Sequence, residues 1–341
     1  MANFTASNLV AGQAVFTAKM QEAEFRAPDI AALSVASKAN AANPFLADLR
    51  TREDRAVKAL MPIRKPASTS GTSRTYNHTG NRGDSQVADI SWSTFAETFS
   101  ISLKQAGNNV LKWQEMYAAS KRSAVLNILE RLDAFFVAQL VASKSQVNAG
   151  GGNGTFDGTT TYDYQVPLTE KDYFFQNAKA TTEFNLYRGD LIGLVDDRAK
   201  MIAERLMAQG SANATNFGFQ FAGMTVVPTT RSILSGYIGS GLFFKNGYVG
   251  VIPWIPPENR KPIDPRAAMS TLGAYGSFTV PEIGMTLASH VYAERADTSA
   301  LNGDTQDVVI QEELSVDLGV VVAPLSTANE TPILSVGQLN A

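Results

Sequence analysis

The longest unbroken pattern in the chain lies in residues 108–148, which contain neither glycine nor proline. Within it Val125, Ile128, Leu129, Leu132, Phe135, Phe136 and Leu140 recur at helical spacing, with Arg122, Glu130, Arg131 and Asp133 between them. The spacing predicts one helix of roughly 60 Å at 1.5 Å per residue, longer than a small core needs. It reads as a spine. Just before it, Phe99, Ile101 and Leu103 alternate with Ser100, Ser102 and Lys104, the period of two of a strand. Residues 66–83 are Ser, Thr, Gly and Arg with hardly any apolar content. Residues 64–105 therefore read as a long two-stranded excursion turning near residues 80–84, too poor in apolar side chains to hold a core of its own.

The first 60 residues are rich in Ala, Asn and Ser. Residues 29–60 predict one or two helices interrupted at Pro44, with a weakly apolar face of Ala31, Ala32, Val35 and Ala36. Such a face packs poorly as the centre of a core, so the segment reads as an arm lying on something else. Residues 149–161 (AGGGNGTFDGTTT) read as a flexible loop. A second amphipathic helix is predicted over 190–209, with Asp190 as N-cap and Gly210 as stop. Short apolar strands follow at 224–227, 248–252, 308–310 and 318–322, around a Pro-rich loop at 253–265. There is no internal repeat of solenoid period.

Composition narrows the class. A chain of 341 residues, 44% hydrophobic and 18% charged, suits one large or two ordinary folded domains rather than disorder. The formal net charge of -3 provides no general attraction for nucleic acid. The absence of cysteine removes disulfides, thiolate nucleophiles and sulfur-ligated zinc, and suits folding in a reducing cytoplasm. No basic stretch followed by an apolar core opens the chain, and no run approaches the ~18 apolar residues of a membrane span. A soluble protein made in the cytoplasm is expected.

The inventory of reactive groups is short. Two histidines, His78 and His290, fall in segments of different character. Asp196-Asp197 and Glu312-Glu313 are sequence neighbours that share neither a helix face nor a strand side, so solvated surface is expected for both pairs. The glycine run at 150–154 lacks the Gly-Lys-Ser/Thr ending of a phosphate cradle. Arg82-Gly83-Asp84 matches an adhesion tripeptide of a kind that chance often produces at turns. The sequons at Asn77, Asn153 and Asn213 carry no meaning without secretion. No catalytic, cofactor-binding or metal-ligating set emerges, and no enzymatic activity is expected.

Charge distribution says more. Residues 55–83 hold no acid but carry Arg55, Lys58, Arg64, Lys65, Arg74 and Arg82; after Arg295 there is no Lys or Arg, while Asp297, Asp304, Asp307, Glu312, Glu313, Asp317 and Glu330 follow. These are either two solvated surfaces or complementary patches by which one copy lies on the next. Complementarity of that kind sets register and partner choice. On the second reading Arg64, Lys65, Arg74 and Arg82 meet Asp304, Asp307, Glu312 and Glu313 between subunits.

An arm, a sparse two-stranded excursion, a spine helix, then a mixed domain ending in apolar strands resembles the Hong Kong 97-like (HK97-like) capsid fold of tailed bacteriophages, an α+β class. Residues 221–228 (FAGMTVVP) are similar to that family's strand after the helix of its A-domain, and residues 316–322 (VDLGVVV) to its closing strand. The resemblance implies an N-terminal arm at 1–63, an extended β-hairpin E-loop at 64–107, the P-domain spine at 108–148, a mixed A-domain at 149–288, and strands returning to the P-domain from 289 onward. It further implies a major capsid protein of the virion, assembled in the host cytoplasm as hexamers and pentamers closing into an icosahedral shell around double-stranded DNA that it touches non-specifically. A separate scaffolding protein, a portal and decoration proteins would be its partners, with no cofactor and no membrane. An encapsulin-like compartment, or another virion part such as a tail component, stays open as an alternative.

Overall fold

The computed structural model describes residues 5–20, 28–39, 46, 48–62, 85–107, 109–144, 146, 152–157, 162–184, 189–209, 219–221, 223–270, 272–281, 283–296, 307–323 and 332–340. In chain order its elements are α1 (Ala6–Lys19), α2 (Ala31–Ala39), β1 (Lys58–Pro62), β2 (Ser85–Asp89), β3 (Ser91–Ser102), α3 (Val110–Ala142), β4 (Thr155–Phe156), β5 (Asp163–Val166), α4 (Phe174–Phe184), β6 (Leu191–Asp196), α5 (Asp197–Gln209), β7 (Phe219–Phe221), β8 (Met224–Thr229), β9 (Gly239–Lys245), β10 (Val249–Trp254), β11 (Ala274–Val280), β12 (Met285–Ala296), β13 (Asp307–Val322) and β14 (Ile333–Gln338). They form two compact units. The first gathers Met1–Ser34, Trp92–Phe136 and Pro253–Gly319, and the second Val35–Ser91, Val137–Ile252 and Val320–Ala341.

In the first unit the spine helix α3 starts at Val110 because Asn109 caps it: its Oδ1 accepts the backbone N–H groups of Leu111 (3.0 Å) and Lys112 (3.3 Å). The strands β11, β12 and β13 pair antiparallel in sequence order, and β3 also pairs with β13. Leu9, Ile101, Leu103, Trp113, Tyr117, Val291 and Ile310 pack together as the core. β3 is tied to the spine as well, since Arg131 donates to the Ala96 carbonyl (2.7 Å) and pairs with Glu97, and Phe95 meets Phe135 edge-on.

The N-terminal segment departs from the expectation of an arm that lies elsewhere. Helix α1 places Leu9, Gly12 and Phe16 on one buried face, and α2 buries Ala32 and Leu33 completely. Low hydrophobicity is offset here by close approach. A Cβ on Gly12 would stand 3.0 Å from the Tyr117 ring and 3.2 Å from Trp113, so the bare backbone lies against the spine. Asp133, wholly buried on α3, accepts the Leu33 N–H at 2.8 Å and so caps the first turn of α2 from another element. Gly12→Val is expected to cost about 1–3 kcal/mol by overpacking. Urea denaturation checks it, and an unchanged midpoint would mean that α1 is not seated there in solution.

The second unit is built on a seven-stranded sheet of order β4-β5-β14-β9-β6-β8-β7. It is mixed: β14 runs parallel to β5 and β6 parallel to β8, while β9 is antiparallel to both β14 and β6. Phe174, Phe175, Val195, Met224, Phe243 and Val336 fill the core on α4 and α5. Residues 190–209 are not one helix, contrary to the reading above. Leu191–Val195 is a run of apolar residues without a polar face and forms the buried central strand β6; the helix starts only at Asp197. Its cap is Asp196, not Asp190: Oδ1 of Asp196 accepts the Ala199 N–H at 2.8 Å. Gly193 is required on β6, since a Cβ there would come within 2.7 Å of the Phe243 ring.

Two further differences share one cause, tertiary pairing. The strands expected at 308–310 and 318–322 are a single strand, β13, in which the intervening Gln311, Glu313 and Ser315 alternate with the buried Glu312, Leu314 and Val316. The described part of the glycine loop is packed rather than loose: Gly154 donates its N–H to the Tyr164 hydroxyl (2.6 Å), and Thr155–Phe156 is strand β4.

The expected excursion starts as the antiparallel ribbon β1–β2, with Lys58 opposite Asp89 and Pro62 opposite Ser85. It begins at Lys58, inside the segment read as arm. The expected turn near residues 80–84 lies outside the described residues.

Candidate functional site

Two places stand out, one buried and one exposed. The buried one is in the first unit. Lys121 on α3 and Glu312 on β13 form an ion pair at 2.6 Å, with relative side-chain exposures of 2% and 0%. Tyr117, one turn before Lys121, donates its hydroxyl to Glu312 Oε2, and Ser289 on β12 donates to Oε1 at 2.6 Å. The Lys121 ammonium also lies 4.7 Å from the Phe278 ring centroid and 5.2 Å from that of Phe16 on α1. Three donors thus converge on one carboxylate among aromatic rings, so the burial of charge is compensated. Lys121, Phe16 and Phe278 also line a cavity of about 260 Å³. The ion pair and its donors fasten spine, sheet and N-terminal helix together.

Burial, and then the neighbouring negative charge of Glu312 and the hydrogen bond to it, raise the Tyr117 hydroxyl well above its ordinary pKa of about 10. The folded chain therefore holds this proton more tightly than the unfolded one. That stabilisation is complete below about pH 10, and is lost as pH rises through the folded value. Tyr117→Phe is expected to cost about 1–3 kcal/mol at neutral pH, because Glu312 loses a donor, and to flatten the decline of stability above pH 10. Melting curves of parent and variant at pH 7 and pH 10.5 check both effects. Equal alkaline slopes would disprove the assignment.

The exposed place is the ribbon β1–β2. Ala59 and Ala88, opposite each other, are buried, whereas the next pair, Leu60 and Val87, is 44% and 53% exposed. Val57, preceding β1, is 70% exposed. One face of a two-stranded ribbon thus carries apolar side chains that no described residue covers, and such a ribbon is marginal without a partner. In the first unit Leu111 (71%) and Met116 (40%) are further exposed apolar residues of the spine helix.

The residues proposed from charge pattern are placed unevenly. Arg64, Lys65, Arg74, Arg82 and Asp304 lie outside the described residues, and Asp307 is the first residue of β13. Glu313 is exposed on the outer face of the sheet, opposite His290 and beyond it Tyr275. Glu312 corrects the expectation of a solvated pair: the strand turns it inward, and its charge is consumed by Lys121. Asp196 is likewise engaged, since its Oδ2 accepts both the N–H and the hydroxyl of Ser240 at 2.7 Å. Sequence reasoning did not single out Lys121 or Tyr117, which sit at inward positions of the spine. The only hint was a lysine on a strip that is otherwise apolar.

His290 stacks between Tyr275 (4.3 Å) and Tyr292 (5.5 Å), and His78 lies outside the described residues. No group of three or more metal-ligating residues occurs among the described residues, and none of the described helices is long and apolar enough to cross a membrane. Trp254, the last residue of β10, faces the Arg260 guanidinium at 5.7 Å.

This arrangement of spine helix, ribbon and mixed sheet is the HK97-like capsid fold. The capsid structure of cyanophage A-1(L) shares it with a TM-score of 0.53 at 9% identity, covering 94% of this chain and 96% of that one. Gordonia phage Cozz (TM-score 0.46, 10% identity, 94% and 90% coverage) and the capsid of cyanophage P-SCSP1u (0.42, 15%, 86% and 86%) are also similar in structure. No protein-family model matches the chain, and no curated protein sequence matches it.

Proposed function

We propose that this chain is the major capsid protein of a tailed bacteriophage, a structural protein and not an enzyme, whose copies form hexamers and pentamers that close into an icosahedral shell around double-stranded DNA. The observation that carries the reading is the open apolar face of β1–β2, on a fold shared with a phage capsid subunit. The segments then take the roles of arm (1–63), E-loop (64–107), spine (108–148), A-domain (149–288) and returning strands (289–341), with α1 fastened into its own subunit. Assembly in the host cytoplasm, a separate scaffolding protein, a portal and decoration proteins belong to the same reading. The near-neutral charge supports a wall that contains DNA without gripping it.

Within this reading the basic residues Arg64, Lys65, Arg74 and Arg82 of one copy meet the acidic residues Asp304, Asp307 and Glu313 of another, with Glu312 withdrawn from the set. Negative-stain electron microscopy of the purified protein at low and high salt tests both levels. Closed shells, or rings that close into shells, support the capsid reading, and a stable monomer at every salt concentration overturns it. Assembly indifferent to ionic strength overturns the charge pairing alone. The contents of the particles, DNA or protein, distinguish a phage head from a cargo compartment.

A further inference from the structure

The second unit holds a cavity of about 700 Å³ that the assembly reading does not use. Its polar wall is made by Lys144, Asp157, Asp163, Gln165 and Tyr237, and its apolar wall includes the buried Ile233 and Leu234. The size is that of a small-molecule site. Among the described residues, two carboxylates against one ammonium leave the polar wall with a net charge of one negative.

The groups are held in place rather than scattered. The Tyr237 ring lies flat on Gly337, where a Cβ would come within 2.5 Å of it, and its hydroxyl accepts from Gln165 Nε2 at 3.2 Å. Asp163 Oδ1 is occupied by Lys144 and by the Ser335 hydroxyl (2.8 Å). Asp157 is different. It is exposed at the cavity, and its Oδ1 accepts the Asp163 N–H at 3.1 Å; a carboxylate has about four acceptor positions, so most of its capacity faces outward. Tyr162, also in the wall, sits at φ 56°, a left-handed conformation that a bulky residue rarely adopts and that gathers at ligand sites. Burial raises the Tyr237 hydroxyl above its ordinary pKa; the Gln165 hydrogen bond opposes this, and the charges of Asp163 and Asp157 add to it.

We propose that this cavity binds an organic cation, a guanidinium or primary ammonium group, with Asp157 as its anionic partner and the Tyr237 and Tyr162 rings as its flanks. The Asp157 carboxylate supplies the attraction. The rings supply faces on which a planar or alkyl cation stacks, and the apolar wall takes a short hydrocarbon stem. The proposal is independent of whether the chain forms shells. The cation has two sources, a free small molecule or an Arg or Lys side chain of a protein segment.

The test is isothermal titration of the full-length chain with agmatine, with spermidine, and with a peptide of residues 64–82 of this chain, which carries Arg64, Lys65, Arg74 and Arg82. Saturable binding that Asp157→Asn weakens at least about tenfold, the loss of one charge-assisted hydrogen bond, is the expected result. Asp172→Asn, at an exposed pair with Arg205 away from the cavity wall, should leave it unchanged. Binding of agmatine or spermidine assigns the site to a free cation, and binding of the peptide alone assigns it to a side chain. No saturable binding, or binding that survives Asp157→Asn, overturns the proposal. Because Asp157 is exposed, the variant should fold, and an unchanged melting curve verifies that.

Discussion

Replacing Glu312 by alanine is expected to remove about 3–5 kcal/mol of stability, the cost of leaving a buried lysine without its counter-charge. A domain of this size is stable by ~5–15 kcal/mol in all, so the variant should populate unfolded or aggregated chains at physiological temperature. The loss exceeds that of a typical surface ion pair because Lys121 is 2% exposed and cannot turn to water. Tyr117 and Ser289 would also lose their acceptor. Replacing both charged residues, as Lys121→Met with Glu312→Leu, should recover much of the loss, since apolar side chains of similar volume remove the desolvation cost on both sides. Urea denaturation of parent, single and double variants measures this. A single variant within 1 kcal/mol of the parent would show that the pair is hydrated in solution, and the spine would then be fastened by packing alone.

The second large effect concerns assembly rather than folding. In the variant Leu60→Asp with Val87→Lys, the two residues remain opposite each other in the ribbon, and opposite charges at a cross-strand pair keep its register. The subunit should therefore retain its circular dichroism and melting temperature. Burying that face against another copy would then forfeit the transfer of two apolar side chains, roughly 1.5–3 kcal/mol each, and require desolvation of two charges. On the proposed capsid reading this penalty recurs at every contact of a closed shell, and the variant should leave capsomers or monomers in sedimentation and electron microscopy. Shells at the parental yield would show that β1–β2 faces solvent in the particle, and would move attention to Leu111 and Met116 on the spine.

Much of the architecture was legible because it depends on local pattern. The absence of Gly and Pro over 108–148, with apolar residues at helical spacing, suffices for α3. The alternation from Phe99 to Lys104 gives the end of β3 its strand character, continuing at Leu103 with an N–H donated to the Val308 carbonyl. Residues 190–209 were misread because Asp190 and Gly210 are good helix boundaries, and the run between them can be fitted to a helical face. Only the neighbours β8 and β9 make Leu191–Val195 more favourable as a strand buried on both sides. The N-terminal helix was missed for the opposite reason. Its contact face is three residues wide and includes a glycine, so it has almost no amphipathic signal, yet that glycine lets it sit on Trp113 and Tyr117.

What the sequence determined by itself is therefore the set of elements with strong periodicity, the poverty of reactive groups, and the separation of basic and acidic stretches. These follow from residue identity and spacing alone. The tertiary structure decided which side of each element became interior. Glu312 and Glu313 are adjacent on one strand, and a strand must send one of them to each face. Lys121, 191 residues earlier on the spine, is what makes the inward position of Glu312 tenable. The same holds for Asp133, whose burial on the spine requires the N-terminus of α2 beside it. A charge can be interior only where its partner is delivered, and delivery across such separations is a property of the fold.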